Sequence, residues 1–310
     1  MSAINRYAND WNAYSQWWDQ QFGEKYRNLG DEWNDDATGQ RKRDDFYFSI
    51  FAERFLRPDM TVLEVGPGGG KWTVRLAPRV RKVICLDVAE EMLKRTEKRC
   101  QDEGLSNVEL VLSNGRDFQP IADDSIDFFF SYDVFVHIAL EDTYPYTQEM
   151  NRVLRSGGRG TCHYAVNSVP QSWNRVEHMN DWYRGGAHTI GQYFYYSPEA
   201  LRRMYEHCGL IVVEQHIEDW HCTCMFAKPA GSPVPNLERL LWRFLSPDAA
   251  DAAHRGEVIA ALRQLPAELE KALAPALESA ESAEEFGRRA AIVADIRRIW
   301  RGIITKGGGT

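Results

Sequence analysis

The sequence predicts an α/β protein: a mainly parallel sheet with an antiparallel last strand, plus a helical N-terminal cap and a helical C-terminal extension. Three observations carry this. Short β-like runs alternate with helical patterns between residues 58 and 230. Two of those runs, KVICLD (82–87) and IDFFFS (126–131), are almost continuously apolar, as strands covered by helices on both faces must be. Beyond the Pro/Gly/Ser-rich stretch PAGSPVP (229–235), apolar residues recur at helical spacing.

Taken in order, residues 1–57 read as an aromatic-rich helical cap, with Trp11, Tyr14, Trp17, Trp18 and Phe22 among its large side chains. The core domain, 58–230, is predicted to hold seven strands at 61–65, 82–87, 108–112, 126–131, 158–166, 210–217 and 222–228. Helices fall near 70–78, 89–103, 143–154 and 197–208. The last two strands are separated only by the polar break Glu218 to His221, so they form a hairpin and the final strand runs antiparallel. An insert at 167–196 interrupts the alternation, and Gly185-Gly186 gives it a hinge; it reads either as a lid or as an aromatic-rich packing segment. The extension, 231–310, carries Leu237, Leu240, Leu241 and Phe244, then Ile292, Val293, Ile296, Ile299, Trp300 and Ile303. These helices are expected to pack on the core or on a second copy of the chain.

Composition narrows the function. A chain of 310 residues, 44% hydrophobic and 26% charged, is that of a soluble globular protein with a real core. A net charge of −8 argues against nucleic acid or an anionic membrane surface as partner. The N-terminus lacks the apolar segment of a secretion signal, and no apolar run approaches the roughly 20 residues a bilayer crossing needs. Six cysteines are scattered without the dense framework of a secreted domain, so a cytoplasmic location is expected.

The stretch TVLEVGPGGGKWTVRL (61–76) holds four glycines in five residues after an apolar run. It is one residue short of a phosphate-binding P-loop, and Trp72 separates Lys71 from Thr73, so the Mg²⁺-binding hydroxyl is misplaced. A dinucleotide fingerprint fits poorly, because Lys71 stands where its third glycine should be. S-adenosylmethionine is the third option: it has no phosphate and carries a cationic sulfur. Glu64, on the strand before the glycines, could supply negative potential or order the loop. Asp87 ends the second strand and is placed to accept from ribose hydroxyls, a role NAD enzymes share.

With VLEVGPGGG (62–70), ICLDVAEEML (84–93), NGRDF (114–118), DSIDFFFSYDVFVHI (124–138) and RVLRSGGRG (152–160) in this order, residues 58–228 resemble the class I S-adenosylmethionine-dependent methyltransferases. The resemblance implies a Rossmann-like seven-stranded sheet with S-adenosyl-L-methionine as cofactor. It places Gly66, Gly68 and Gly70 beside the methionine part and Asp87 on the ribose, with Glu64, Pro67 and Trp72 also expected to bind the cofactor. Val88 and Met92 fall near the adenine. Asn114, Gly115, Arg116 and Asp117 surround the purine edge, with Asp117 accepting from its amine. Ser131 and Tyr132 flank the methionine side.

GDEWND (30–35) with Arg41, KWT (71–73), SYDVFVHI (131–138) and CHYA (162–165) are also similar to bacterial methyltransferases of polysaccharides and glycosides. This implies O-methylation of a hydroxyl on a sugar or oligosaccharide acceptor, which needs a base. His137 is the first candidate: if the chain turns helically after Tyr132, Asp133 shares its face and orients it. His163 is the second. Trp33, Arg41, Trp182, Tyr183, Arg184 and Tyr195 are acceptor-side candidates. No metal is expected: neither Asp133 with His137 and His163 nor HCTC (221–224) has the spacing of a closed site, and strand alternation turns His221 away from Cys222 and Cys224. The alternatives are a methyltransferase for an amine, phenol or carboxylate, an NAD-dependent oxidoreductase, and a cofactor-binding protein without catalysis.

Overall fold

A computed structural model of the chain describes residues 4–34, 40–184, 191–230, 244, 252–263 and 267–307. Its centre is an eight-stranded sheet: β1 (Thr61–Val65), β2 (Lys82–Asp87), β3 (Val108–Leu112), β4 (Ile126–Ser131), β5 (Leu154–Val166), β6 (Tyr195–Tyr196), β7 (Ile211–Glu218) and β8 (His221–Ala227). The order is β3-β2-β1-β4-β5-β8-β7, with the two-residue β6 paired to the end of β5. Seven strands stand where the alternation predicts them, although β5 begins four residues earlier. The eighth, β6, closes the insert and is too short to leave a period-two signal. β8 is antiparallel to both β5 and β7, and the remaining pairs are parallel.

The helices are α1 (Ile4–Phe22), α2 (Gln40–Phe51), α3 (Thr73–Leu76), α4 (Glu90–Asp102), α5 (Leu140–Val153), α6 (Pro170–Arg184) and α7 (Pro198–His207). Strand alternation sorts the three phenylalanines of β4 between two layers. Phe129 joins Leu63, Phe118, Tyr146, Tyr164, Tyr205 and Phe226 on one face. Phe128 and Phe130 join Val62, Trp72 and Met225 on the other, together with Tyr47, Phe48 and Phe51 of α2. The second helix of the aromatic N-terminus is therefore a layer of the core, not only a cap. Thr161 of β5 is fully buried and ties that layer down, its hydroxyl donating to the Phe51 carbonyl at 2.5 Å.

α1 lies across α4. Asn12 accepts from the Glu91 N–H at 3.0 Å, and Arg95 donates to Ser15 and Asp19, each at 2.6 Å. The guanidinium of Arg95 covers the buried Trp18 ring. Tyr7 links the same helix to α5, donating to Asp142 at 2.8 Å.

The C-terminal region has its own apolar cluster. Phe244, α8 (Ala252–Leu262), α9 (Ala267–Glu281) and α10 (Phe286–Gly307) bury Val258, Leu262, Leu273, Leu277, Val293 and Ile296 against one another. Leu237, Leu240 and Leu241 lie outside the described residues, as do the side chains of Trp300 and Ile303. Among the described residues no helix is long and apolar enough to cross a membrane.

If α2 is a structural layer, Thr161→Val, close in shape but without the donor, leaves the Phe51 carbonyl buried and unsatisfied. The expected loss of unfolding free energy is about 1–3 kcal/mol, measured by denaturant titration. A detachable cap would leave the midpoint unmoved.

Candidate active site

The parallel strands β1, β2, β4 and β5 end at one rim, where an open α/β sheet binds its ligands. β1 delivers the glycine loop there. The Gly66 N–H donates to the Leu86 carbonyl at 2.8 Å, and Gly66 adopts φ +72, a left-handed conformation that favours glycine. Gly69 is needed for space: a Cβ there would overlap the Leu29 carbonyl of the N-terminal segment. Thr96 of α4 donates to the Gly68 carbonyl at 2.9 Å, fixing the loop from its other side.

Glu64 is buried beneath the loop, its Oε2 accepting from the Thr73 hydroxyl at 2.6 Å and from the Cys85 thiol at 3.4 Å. Burial pushes its carboxyl up to about 7. These partners tie the end of β1 to α3 and β2 through side chains, not through backbone N–H groups of the loop. Asp87 closes β2 and accepts from the Ala89 N–H at 2.9 Å. Burial raises it to about 6, against the pull of the backbone N–H groups of Ala89, Gly68 and Val88.

The two cations nearest the loop are committed to carboxylates. Lys71 pairs with Asp44 at 2.5 Å, and Arg99 with Asp31 at 2.9 Å. The rim therefore offers backbone room and acidic acceptors but no free guanidinium or ammonium among these residues for a phosphate. That donor set fits a cationic, phosphate-free adenosyl cofactor and fits a pyrophosphate badly.

The other cofactor candidates follow the ends of β2 and β3 or close β4. Val88 is half-buried, and Met92 packs with Trp18, Leu29 and Ala89. Asn114 to Asp117 form a tight turn: Asn114 Oδ1 accepts from the Arg116 and Asp117 N–H groups at 2.8 and 3.2 Å, and Gly115 takes φ +75. Asp117 accepts from the Asn114 amide at 2.9 Å and from the Gln119 N–H at 3.0 Å. Ser131 is buried with its hydroxyl on the Val65 carbonyl at 2.8 Å, locking β4 to β1. Trp72 is only 6% exposed and packs between Phe48, Phe130 and Tyr132, so it is a core residue under the loop rather than an open cofactor contact.

On the acceptor side the pairing differs from the expected one. Residues 132–134 do not turn helically; Asp133 takes φ +57, and only Phe135–His137 form a short 3₁₀ turn. Asp133 thus points to His163, with Oδ1 2.8 Å from Nδ1, and not to His137. His137 turns its Nδ1 to the Gln192 carbonyl at 3.0 Å and packs between Trp11 and Tyr193, where burial lowers its pKa.

His163 is 3% exposed and stacks on Tyr132, with centroids 4.3 Å apart and planes at 4°. Its other face meets His221 at 4.5 Å. Trp220 then covers His221 at 3.6 Å. Burial, reinforced by His163 alongside, pushes His221 down to about 3, so its ring is neutral. Alternation along HCTC turns His221 away from Cys222 and Cys224, which sit in the opposite layer, but gives no sign that it meets Asp133 and His163. Tyr47, whose ring meets Tyr132 at 4.4 Å and His163 at 6.0 Å, was also missed.

Tyr195 is half-buried beside Tyr193. The side chains of Trp33, Arg41, Trp182, Tyr183 and Arg184, and the hinge Gly185-Gly186, lie outside the described residues. The insert itself contributes α6 and β6 to the fold.

Comparison with known proteins agrees with this fold. Residues 62–158 match a family described as a methyltransferase domain. A demethylmenaquinone methyltransferase of Listeria welshimeri is 30% identical over 139 residues, 43% of this chain and 56% of that protein. The chain thus spans about half the length of that relative. Among solved structures, a methyltransferase from Bacillus halodurans, itself described as putative, superposes with a TM-score of 0.50 at 17% identity, covering 60% of this chain and 98% of the other. A structure of DhpI in complex with SAH gives 0.51 at 15% identity, covering 74% and 97%. Both likenesses establish the fold. The glycine loop and Asp87 thus lie within the stretch, residues 62–158, that matches this family, and the rim they form fits S-adenosylmethionine as cofactor.

Proposed function

We propose that this chain transfers a methyl group from S-adenosylmethionine to a hydroxyl oxygen of a small polar acceptor, a sugar or sugar-containing molecule. The observation that carries the choice of oxygen is the Asp133–His163 contact at the rim beside the cofactor loop. Methylation at a hydroxyl needs help with a proton, whereas a neutral amine needs none. When bound, the cofactor supplies an activated methyl on a positively charged sulfur.

The chain's own residues do the rest. Gly66 to Gly70 allow close backbone approach, and Asp87 offers a carboxylate to the ribose. Tyr132, Tyr47 and Trp72 form an aromatic wall between the cofactor loop and His163. The base role assigned first to His137 moves to His163, because Asp133 lies against His163 while the Gln192 carbonyl occupies His137. His137 holds the N-terminal helix and the Tyr193 segment together over the rim.

A second reading is supported by the relative's name: an acceptor of the quinol type, as a demethylmenaquinone methyltransferase would use. The phenol-like hydroxyls of such an acceptor suit the aromatic wall.

Incubation with isotopically labelled S-adenosylmethionine and separate pools of glycans, sugar conjugates and quinols, followed by mass spectrometry, decides between these readings. Label in an alkali-stable ether on a sugar supports the first; label in the quinol pool alone overturns it. His163→Gln is expected to slow turnover about 100-fold or more while S-adenosylhomocysteine affinity stays within about twofold of wild type.

Asp87→Ala removes a charge-assisted bond of about 1.5–3 kcal/mol. The expected result is about 10- to 100-fold weaker S-adenosylhomocysteine binding by calorimetry. The ionised carboxylate is the accepting form, so wild-type affinity is full above the raised value of about 6 and falls as the pH drops through it. Asp87→Asn should flatten that dependence.

A further inference from the structure

Asp133, His163 and His221 come from three separate parts of the chain and meet at the acceptor rim. Each offers one ligand atom, and the three atoms lie within 4.8 Å of one another. The sheet register makes the meeting unavoidable: β5 and β8 are antiparallel, with Ala165 opposite His221 and His163 opposite Thr223. The two histidines are therefore diagonal neighbours on one face, with rings 4.5 Å apart. Asp133 reaches them from the end of β4 through its left-handed backbone.

Two features mark this as more than a packed cluster. His163 Nδ1 is buried, and although Asp133 Oδ1 stands 2.8 Å away, the nitrogen makes no well-aligned hydrogen bond. An off-line buried nitrogen with a carboxylate oxygen and a second imidazole beside it is a chelate arrangement. The rings are also clamped from outside, His163 by Tyr132 and His221 by Trp220, so their orientation is set before any ligand arrives. Two imidazoles and one carboxylate suit a first-row divalent cation such as Zn²⁺, Fe²⁺ or Co²⁺, and three protein ligands leave coordination positions open.

We propose that Asp133, His163 and His221 bind a divalent transition-metal ion whose open positions take the acceptor hydroxyl. This rests on the methyl-transfer reading above and states how that site prepares its oxygen. A cation bound to a hydroxyl lowers its pKa, as it does for bound water. The acceptor O–H bond breaks and the proton leaves to solvent. The electron pair left on oxygen forms the new C–O bond, while the methyl–sulfur bond breaks with its pair staying on sulfur. Sulfonium and metal-bound alkoxide become thioether and ether, so charge balances without an oxidant. His163 then serves as a ligand, and the base role falls to the cation.

The test uses the full-length protein, freed of metal by chelator dialysis and titrated with Co²⁺. Expected is one equivalent bound with visible d–d absorption, and at least about tenfold weaker binding in Asp133→Asn and His221→Gln. Neither of these two side chains is fully buried, so the variants are chosen to fold, and unchanged S-adenosylhomocysteine affinity confirms that they do. Turnover in the labelling assay should fall at least tenfold after chelation and return with added metal. Absence of a one-to-one Co²⁺ complex, equal binding by the variants, or turnover indifferent to chelator overturns the proposal. In each of these cases methyl transfer with His163 as base still stands. Loss of S-adenosylhomocysteine binding in the wild type would instead sink the methyl-transfer reading, and the Co²⁺ titration reports independently of it.

Discussion

The placement of β8 governs this molecule. It enters antiparallel between β5 and β7, so its first residue, not its last, lies at the rim where the parallel strands finish. A parallel strand in that position would carry its first residue to the far pole of the sheet. Because the direction is reversed, His221 comes beside His163, and the acceptor rim gains a second imidazole that chain order alone would put 58 residues away. The same register seals the sheet, since Cys222, Cys224 and Phe226 fill one layer while Met225 joins the other.

Most of the sheet was legible because burial on both faces leaves an unmistakable pattern. The runs at 61–65, 82–87 and 126–131 are strands with the bounds the apolar pattern suggests. What escaped was short or dictated from elsewhere. β6 is two residues held only by its pairing to β5, and no local preference encodes it. α2 looked like part of a cap because its sequence, QRKRDDFYFSIF, mixes a charged first half with an aromatic second half. Only the packing of Tyr47, Phe48 and Phe51 against Trp72 and Phe130 shows that the second half is core.

The site divides the same way. The glycine loop stands out in the sequence because its glycines answer backbone demands, as Gly66 does a left-handed turn and Gly69 the close passage of Leu29. On the acceptor side the structure joins Asp133 to His163 rather than to His137. Asp133 and His137 are four apart, so a helical reading joins them. The backbone instead turns left-handed at Asp133, a conformation aspartate tolerates better than most side chains. That single dihedral sends the carboxylate across to β5, and periodicity carries no information about it.

The N-terminal segments bind the two halves of the site into one mechanical unit. Leu29 rests on Gly69, Asp31 holds Arg99, and Asp44 holds Lys71, so the chain on both sides of residues 35–39 grips the glycine loop. α2 then runs on to place Tyr47 against Tyr132 and His163. A shift in the loop large enough to admit a cofactor must therefore be felt by the aromatic wall, and through Tyr132 by the imidazole stacked on it. The partly buried Lys71–Asp44 pair is poorly suited to yield, because separating it would take the cation away from a carboxylate only 1% exposed. The glycine loop and the rim at His163 thus share one rigid support, which is what the proposed in-line displacement demands of two reactants held at contact distance.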